Sequence, residues 1–323
     1  MKPANTKLLK TALNMPMDFP FKLNKECLSI SIYVLLTESR AYRHPRFTIK
    51  IPITPAPQYQ GSPREYMLDL SFFDLSLLLS CALFAGLVDS IIGGGGMIQV
   101  PALFSVLPGF PPATLLSVNK FGSIVGTIGS AIQYSRANKS PWGLVIISSS
   151  FAFFASVAGA YLVTQLPTEW LRGALPFLLL ALLIFNIKSS AGLVHAPKHH
   201  HHKQKAIAST GAGIIGFYDG FLGPGAGAFY KLFYTRVLGF DFLRSAAPAK
   251  YLNIASNLGA LCVFFYLDYF DWQLGLLMAS ANLVGGQIGT KIAIKHGNSF
   301  IRKGFFILVT LLIIKTFYDA FLK

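Results

Sequence analysis

The stretch Ala85–Lys120, AGLVDSIIGGGGMIQVPALFSVLPGFPPATLLSVNK, is written twice in this chain. At an offset of 130 residues, Ile215–Lys250 reads IGFYDGFLGPGAGAFYKLFYTRVLGFDFLRSAAPAK. No gap is needed to set Gly86 on Gly216, Asp89 on Asp219, Gly93 on Gly223, Gly95 on Gly225, Gly109-Phe110 on Gly239-Phe240 and Lys120 on Lys250. Each copy places one acid, a cluster of glycines and one lysine in apolar surroundings. A soluble loop has no reason to recur in this way, whereas a duplicated membrane domain does.

Composition agrees. Hydrophobic residues make up 53% of the 323 residues and charged residues 13%, against roughly 25% charged in soluble domains. Several apolar runs reach the ~20 residues that a helix needs to cross a bilayer. Backbone groups in lipid must bond within their own segment, so these runs are expected to be helices. The weak ten-residue alternation of a β-barrel is missing. The net charge of +15 fits basic cytoplasmic loops. It does not point to nucleic acid, because no soluble domain carries a basic face. Cys27, Cys81 and Cys262 lack metal or disulfide spacing, and the last two read as buried small hydrophobes.

Residues 1–66 differ from the rest. They hold ten Lys/Arg against four Asp/Glu, many prolines and no sustained period. The run Leu28–Leu36 is too short to span. The expectation is a disordered or non-native leader, with MLDLSFFDLSLLLSCALFAGLVD from Met67 as a natural beginning; a signal peptide is the alternative. The first membrane repeat is placed at 67–190, a basic, histidine-rich linker at 191–205 and the second repeat at 206–323. Helical segments are expected over 70–92, 97–107, 113–135, 142–165 and 169–187, then over 206–222, 228–238, 243–267, 272–294 and 300–320. The offset persists through them: Trp142 matches Trp272, Leu144 matches Leu274, Gly159 matches Gly289 and Arg172 matches Arg302.

The fold class expected is an all-α polytopic membrane protein of two halves, each with a glycine-rich broken helix or hairpin plus three helices. A hairpin gives each half an odd count and a broken helix an even one. Loop charge separates the two. Under the odd count one side receives Arg136 and Lys139, the linker lysines, the Arg236–Arg244 loop, and Lys295, Arg302 and Lys303. The other receives Glu169 with Arg172 and the acidic loop Asp268–Asp271. The even count mixes these, so inverted halves are expected, with basic loops in the cytoplasm.

Glycines in a helix break expose N–H groups, and the positive end of the following helix adds to them an anion site. Gly93, Gly94, Gly95 and Gly96, and Gly223, Gly225 and Gly227, are therefore candidate substrate-binding residues. The alternative is that they only permit a tight hairpin and close packing. Lys120 and Lys250 lie in apolar helices and are candidates to attract an anion. They could equally snorkel to the interface, or be neutralised by the acid of their own repeat. Asp89 and Asp219, one turn before the glycines, are candidate proton-coupling groups, with structural pairing as the alternative. Asn253 and Asn257 occupy the positions of Ser123 and Thr127. His195 and His199–His202 read as a solvated linker or as metal ligands; no metal is expected in the core. Nothing resembles a nucleophile–base pair or a phosphate loop. An enzyme, a cofactor and an ATP-driven pump are therefore not expected.

The motifs AGLVDSIIGGGGMIQVPAL with SVNK, and GFYDGFLGPGAGAFY with AKYLNIASNLGAL, resemble the sulfite exporter TauE/SafE family of bacterial inner-membrane transporters. Within it they are most similar to the branch known as probable membrane transporter proteins. The resemblance covers about 70–320 and omits 1–66; His296-Gly297 departs from it without a motif. It implies transport of sulfur-containing or other small organic anions such as sulfite, sulfoacetate or related sulfonates; secondary, proton-coupled transport is expected because no nucleotide site is visible. A passive channel or facilitator, or a non-transport subunit of a membrane complex, is the alternative. It also implies seven to nine spans, against the ten segments read here. The partners expected are the small anion and the lipid bilayer, with a homodimer left open and no nucleic acid.

Overall fold

A computed structural model describes residues 28–31, 48–51, 71–137, 140–188, 201–240, 244–296 and 299–322. The chain divides into Met1–Pro55 and Ala56–Lys323. In the first unit β1 (Leu28–Ser31) pairs antiparallel with β2 (Thr48–Ile51), with Ile30 opposite Ile49. Both segments alternate apolar and polar residues, which suits a short ladder. The sequence reading gave this leader no regular element. Met67, Cys27, His195, His199 and His200 lie outside the described residues.

The second unit is helical. Its described elements are α1 (Phe72–Ile91), α2 (Gly96–Val106), α3 (Pro112–Ala137), α4 (Trp142–Thr164) and α5 (Thr168–Lys188), then α6 (His201–Phe221), α7 (Ala226–Leu232), α8 (Ala246–Tyr266), α9 (Trp272–His296) and α10 (Ser299–Phe321). A π-helical segment, Phe233–Val237, continues α7. The expected segments and these helices agree to within a few residues. The exception is α6, which begins inside the stretch assigned to the linker. Eight of the described helices have 20 residues or more, about 30 Å at 1.5 Å per residue; α2 has 11 and α7 has 7. Of the ten expected segments, α2 and α7 are the two too short to cross a bilayer as single helices.

Helix ends follow local chemistry. Ser71 caps α1, its hydroxyl accepting from Asp74 N at 3.1 Å, and Asp271 caps α9, accepting from Leu274 N at 2.8 Å. The glycine turn after α1 makes a hairpin, not a kink. A Cβ on Gly95 would stand 2.6 Å from Ala85 O, ten residues back, so α2 returns along α1. Arg172, at the start of α5, closes the other end. Its guanidinium donates to the carbonyls of Phe104, Pro108 and Phe110 at 3.2, 2.8 and 2.8 Å.

The halves interlock. α4 of the first half packs along α6 of the second, and α9 of the second along α1 of the first. Equivalent glycines make equivalent approaches: Gly216 meets the Ala152 backbone, and Gly86 meets the Asn282 backbone. Backbones come this close only where a side chain is missing. Trp142 stacks edge-on to Tyr251 at 5.0 Å, and Trp272 edge-on to Phe121 at 6.3 Å, which are the same two contacts exchanged between halves.

Contacts between the equivalent helices α3 and α8 give their relative direction. Early in α3, Phe121 meets Phe270, just past the end of α8. Late in α3, the Ser135 hydroxyl bonds Tyr251 near the start of α8 at 3.2 Å, and Tyr134 clusters with Ala246 and Ala247. α3 and α8 therefore run antiparallel. Large apolar side chains, among them Phe154, Phe177, Ile214, Leu276, Ile307 and Ile314, remain exposed around the bundle, as on a lipid-facing surface. Cys81 is buried as expected, but Cys262 is exposed; it lies among these outward residues, beside Leu258 and Phe265 on α8.

Candidate functional site

The two glycine turns meet. Gly93 and Gly223 both have φ +90°, and Gly225 has φ +79°, a region open to glycine at little cost. Ala228 N donates to Gly93 O at 2.8 Å, and a Cβ on Gly227 would stand 2.8 Å from the same oxygen. Gly96 lies against Pro224 and Gly223, Gly94 against the Phe305 ring, and Gly225 against Met97. All seven candidate glycines thus gather at one junction.

Their N–H groups are not all available. Gly93 N donates to Asp89 O at 2.9 Å, Gly223 N to Tyr218 O at 3.2 Å, and Gly95 N to Asp89 Oδ1 at 3.4 Å. Pro224, which stands where the first turn has Gly94, has no N–H. Among the described residues, the N–H groups of Gly94 and Gly96 enter no such bond. In the second turn the N–H groups of Gly225 and Gly227 enter none either, so both turns present donors ahead of their short helices.

Lys120 and Lys250 do not snorkel. They are 1% and 6% exposed. Lys120 Nζ donates to Asp219 Oδ1 and to the Asp219 carbonyl. Lys250 Nζ donates to Asp89 Oδ2 at 2.6 Å and to the Asp89 carbonyl. The sequence reading allowed each lysine the acid of its own repeat; the pairing instead crosses between halves. The cause is the interlocked packing, which brings the C-terminal turn of each half's first helix against the other half's lysine. Each ammonium group also meets a last-turn carbonyl of the opposing helix, where its charge complements the helix dipole.

Each acid has a further partner. Thr127 Oγ1 donates to Asp89 Oδ2 at 3.2 Å, and Ser256 Oγ donates to Asp219 Oδ2. Asn253 and Asn257 bond to one another within α8, Asn257 Nδ2 donating to Asn253 Oδ1 at 3.0 Å.

Lys231 escaped the sequence reading. It lies buried on α7 and donates to Ile91 O at 2.9 Å, the carbonyl at the end of α1. A single lysine in an apolar run is a signal in itself. The search by repeat passed over it, because its counterpart is Pro101. Gln99 was passed over for the same reason, its counterpart being Phe229. No cluster of three metal-ligating side chains occurs among the described residues.

The arrangement is a buried junction where two backbone turns touch and two ammonium groups are held by carboxylates from opposite halves. Chemically it offers cations that an anion can claim and carboxylates that a proton can neutralise. Comparison with known proteins agrees with a transport role. The chain is 36% identical over 241 residues to "Probable membrane transporter protein ORF9" of Sinorhizobium sp, covering 73% of this chain and 89% of that protein. It is 32% identical over 247 residues to "Probable membrane transporter protein YfcA" of Escherichia coli K12, covering 76% and 90%. It is 30% identical over 257 residues to a "Probable membrane transporter protein" of Haemophilus influenzae, covering 76% and 96%. No solved structure matches the chain. The model of the family described as sulfite exporter TauE/SafE matches residues 78–316, which takes in both glycine turns, both lysine–carboxylate pairs and the helices that interlock them, and the chain belongs to that family of multi-pass membrane transporters.

Proposed function

We propose that this transporter moves a small anion across the bacterial inner membrane through the junction of its two glycine turns, coupled to protons. Sulfur-containing anions of the sulfite and sulfonate type are the substrate class. The observation that carries this reading is the crosswise pairing of Lys120 with Asp219 and of Lys250 with Asp89. An incoming anion competes with the carboxylate for one ammonium group. When the anion takes it, the carboxylate is left buried without its counter-charge, at a cost of several kcal/mol. A proton removes that cost. Anion and proton therefore bind together, and the local charge does not change. Asp89 and Asp219 are the proton-coupling groups, and Gly94 and Gly96 add N–H donors at the start of α2.

Each pair also ties one half to the other. Opening one loosens its end of the junction while the twin keeps the other end shut. In halves whose equivalent helices run antiparallel, alternate opening gives access from one side at a time. The basic loops, among them Arg136 and the segment from Arg236 to Arg244, then lie in the cytoplasm.

The test is flux of radiolabelled sulfite, sulfoacetate and thiosulfate in proteoliposomes, with and without an imposed pH gradient. Gradient-dependent movement of one of them is expected. Flux indifferent to collapse of the gradient would make the protein a passive facilitator. No movement by folded protein overturns the sulfur-anion class. Full flux in a Lys120→Ala, Lys250→Ala double variant overturns the site.

A further inference from the structure

Three amide side chains lie beside the turns and take no part in the lysine–carboxylate pairs. Gln99 comes from the first turn of α2, Asn119 from α3 next to Lys120, and Asn282 from the middle of α9. They are 1%, 4% and 3% exposed. Asn282 Nδ2 donates to Gln99 Oε1 at 2.8 Å, which leaves Gln99 Nε2 as the outward donor. Among the described residues, Gln99 Nε2 finds no acceptor and Asn119 Oδ1 finds no donor. Buried polar groups in folded proteins are rarely left unmet without a reason.

Both unmet groups lie close to the turns. A Cβ on Gly96 would stand 3.8 Å from Asn119 Nδ2 and 3.7 Å from Gly223 O. A Cβ on Gly223 would stand 2.5 Å from Lys120 Nζ, and one on Gly122 would stand 3.0 Å from Gln99 Nε2. Asn119 thus lies at the contact of the two turns, where Gly223 meets the Lys120 ammonium group, and Gln99 reaches α3 at Gly122, one helical turn further on. The amides are also dispensable to the fold. At the equivalent positions stand Phe229 and Ala249 in the second half and Ala152 in the first, and α4 packs along α6 as α9 packs along α1.

We propose that Gln99, Asn119 and Asn282 form a polar subsite for an uncharged hydroxyl group carried by the transported anion, beside the anionic group at Lys120. Gln99 Nε2 donates to the hydroxyl oxygen, and the hydroxyl proton goes to Asn119 Oδ1. Asn282 holds Gln99 in place. A hydroxyl both accepts and donates, so it satisfies a donor and an acceptor at once. A fully ionised oxyanion only accepts and leaves Asn119 Oδ1 unmet. The substrate class narrows to small hydroxylated organic anions, bound in one orientation because the repeat-equivalent positions, Phe229, Ala249 and Ala152, carry no amide. The inference rests on the anion-transport reading above.

The test is binding to the purified full chain, read by thermal unfolding against anion concentration for matched pairs: isethionate with ethanesulfonate, lactate with propionate, and glycolate with acetate. In the wild type at least one hydroxylated member binds at least tenfold more tightly than its partner, because a site built to bond a hydroxyl discriminates strongly against its absence. In Asn119→Ala, which copies Ala249, the preference falls to within twofold while the deoxy member binds as before. Gln99→Leu gives the same loss and decides the matter should Asn119→Ala not fold. Equal binding within every pair, or a preference that survives both substitutions, overturns the subsite and leaves the anion reading standing. Binding of no anion at all overturns both.

Discussion

Four helices among the described residues are long and apolar enough to cross a bilayer by themselves, and all four belong to the first half: Phe72–Ile91, Pro112–Arg136, Trp142–Thr164 and Thr168–Asn186. Two of their counterparts in the second half are more polar, α6 than α1 and α9 than α4, while α8 and α10 are as apolar as α3 and α5. α6 opens with His201, His202, Lys203 and Lys205; α8 carries Lys250, Asn253 and Asn257; α9 carries Asn282, Gln287, Lys291 and Lys295. Both halves nevertheless make the same contacts. The difference teaches that mean hydropathy averages around a helix, whereas the bilayer charges only for what faces lipid. Lys250, Asn253, Asn257 and Asn282 are all buried between helices, while Ile214, Leu258, Phe265, Leu276 and Val284 face outward. Packing against the first half is what buries the polar groups of the second.

If the halves are equivalent, breaking either lysine pair should disable the protein. Lys120→Ala leaves Asp219 buried and uncompensated, and should cost about 3–5 kcal/mol together with all measurable flux. Lys250→Ala should cost less, since the Lys250 and Asp89 side chains are 7% and 12% exposed against 1% and 2% for Lys120 and Asp219. Thermal unfolding of the two variants ranks the pairs. Lys120→Ala with Asp219→Ala should be more stable than Lys120→Ala alone; if it is not, the pair does not tie the halves together.

The glycine turns provide the next comparison. Gly93→Ala forces a φ of +90° on alanine and drives its Cβ into the Gly227 carbonyl carbon. A loss of about 2 kcal/mol or more is expected, read as folded yield and midpoint. Gly143→Ala, at a position with open space around it, should be neutral or gain up to about 1 kcal/mol. Equal losses at the two would remove the junction as the tight point of the fold.

Arg172→Lys tests the closure of the first hairpin. An ammonium group cannot reach three carbonyls in the plane of a guanidinium, and a loss of about 2 kcal/mol is expected. The smallest effect is expected at Tyr230 and Tyr234 of the second half, whose buried hydroxyls lie beside Ser256 and Ser148. Tyr234→Phe should cost no more than about 1 kcal/mol with flux unchanged. A fall in flux would show that these hydroxyls are used as the amides beside the turns are.

The fold was largely legible. Segment boundaries and the glycine turns followed from hydropathy and the 130-residue repeat, and the helices agree closely. The candidate site was legible only where the repeat duplicates it. Asp89, Asp219, Lys120 and Lys250 were found because each is doubled. Lys231 and Gln99 were missed because Pro101 and Phe229 stand opposite them. Functional asymmetry is invisible to a search for symmetry.

The sequence by itself determined that the chain is helical and membrane-bound, because long apolar runs have no other way to satisfy their backbone in lipid. It also determined that there are two related halves, since 130 residues separate every matched pair. Only the tertiary structure decided which acid each lysine meets. A repeat records equivalence between positions, whereas partnership depends on how the halves pack. With α4 laid along α6 and α9 along α1, each half's first helix ends against the other half's lysine, and the charges pair across the junction.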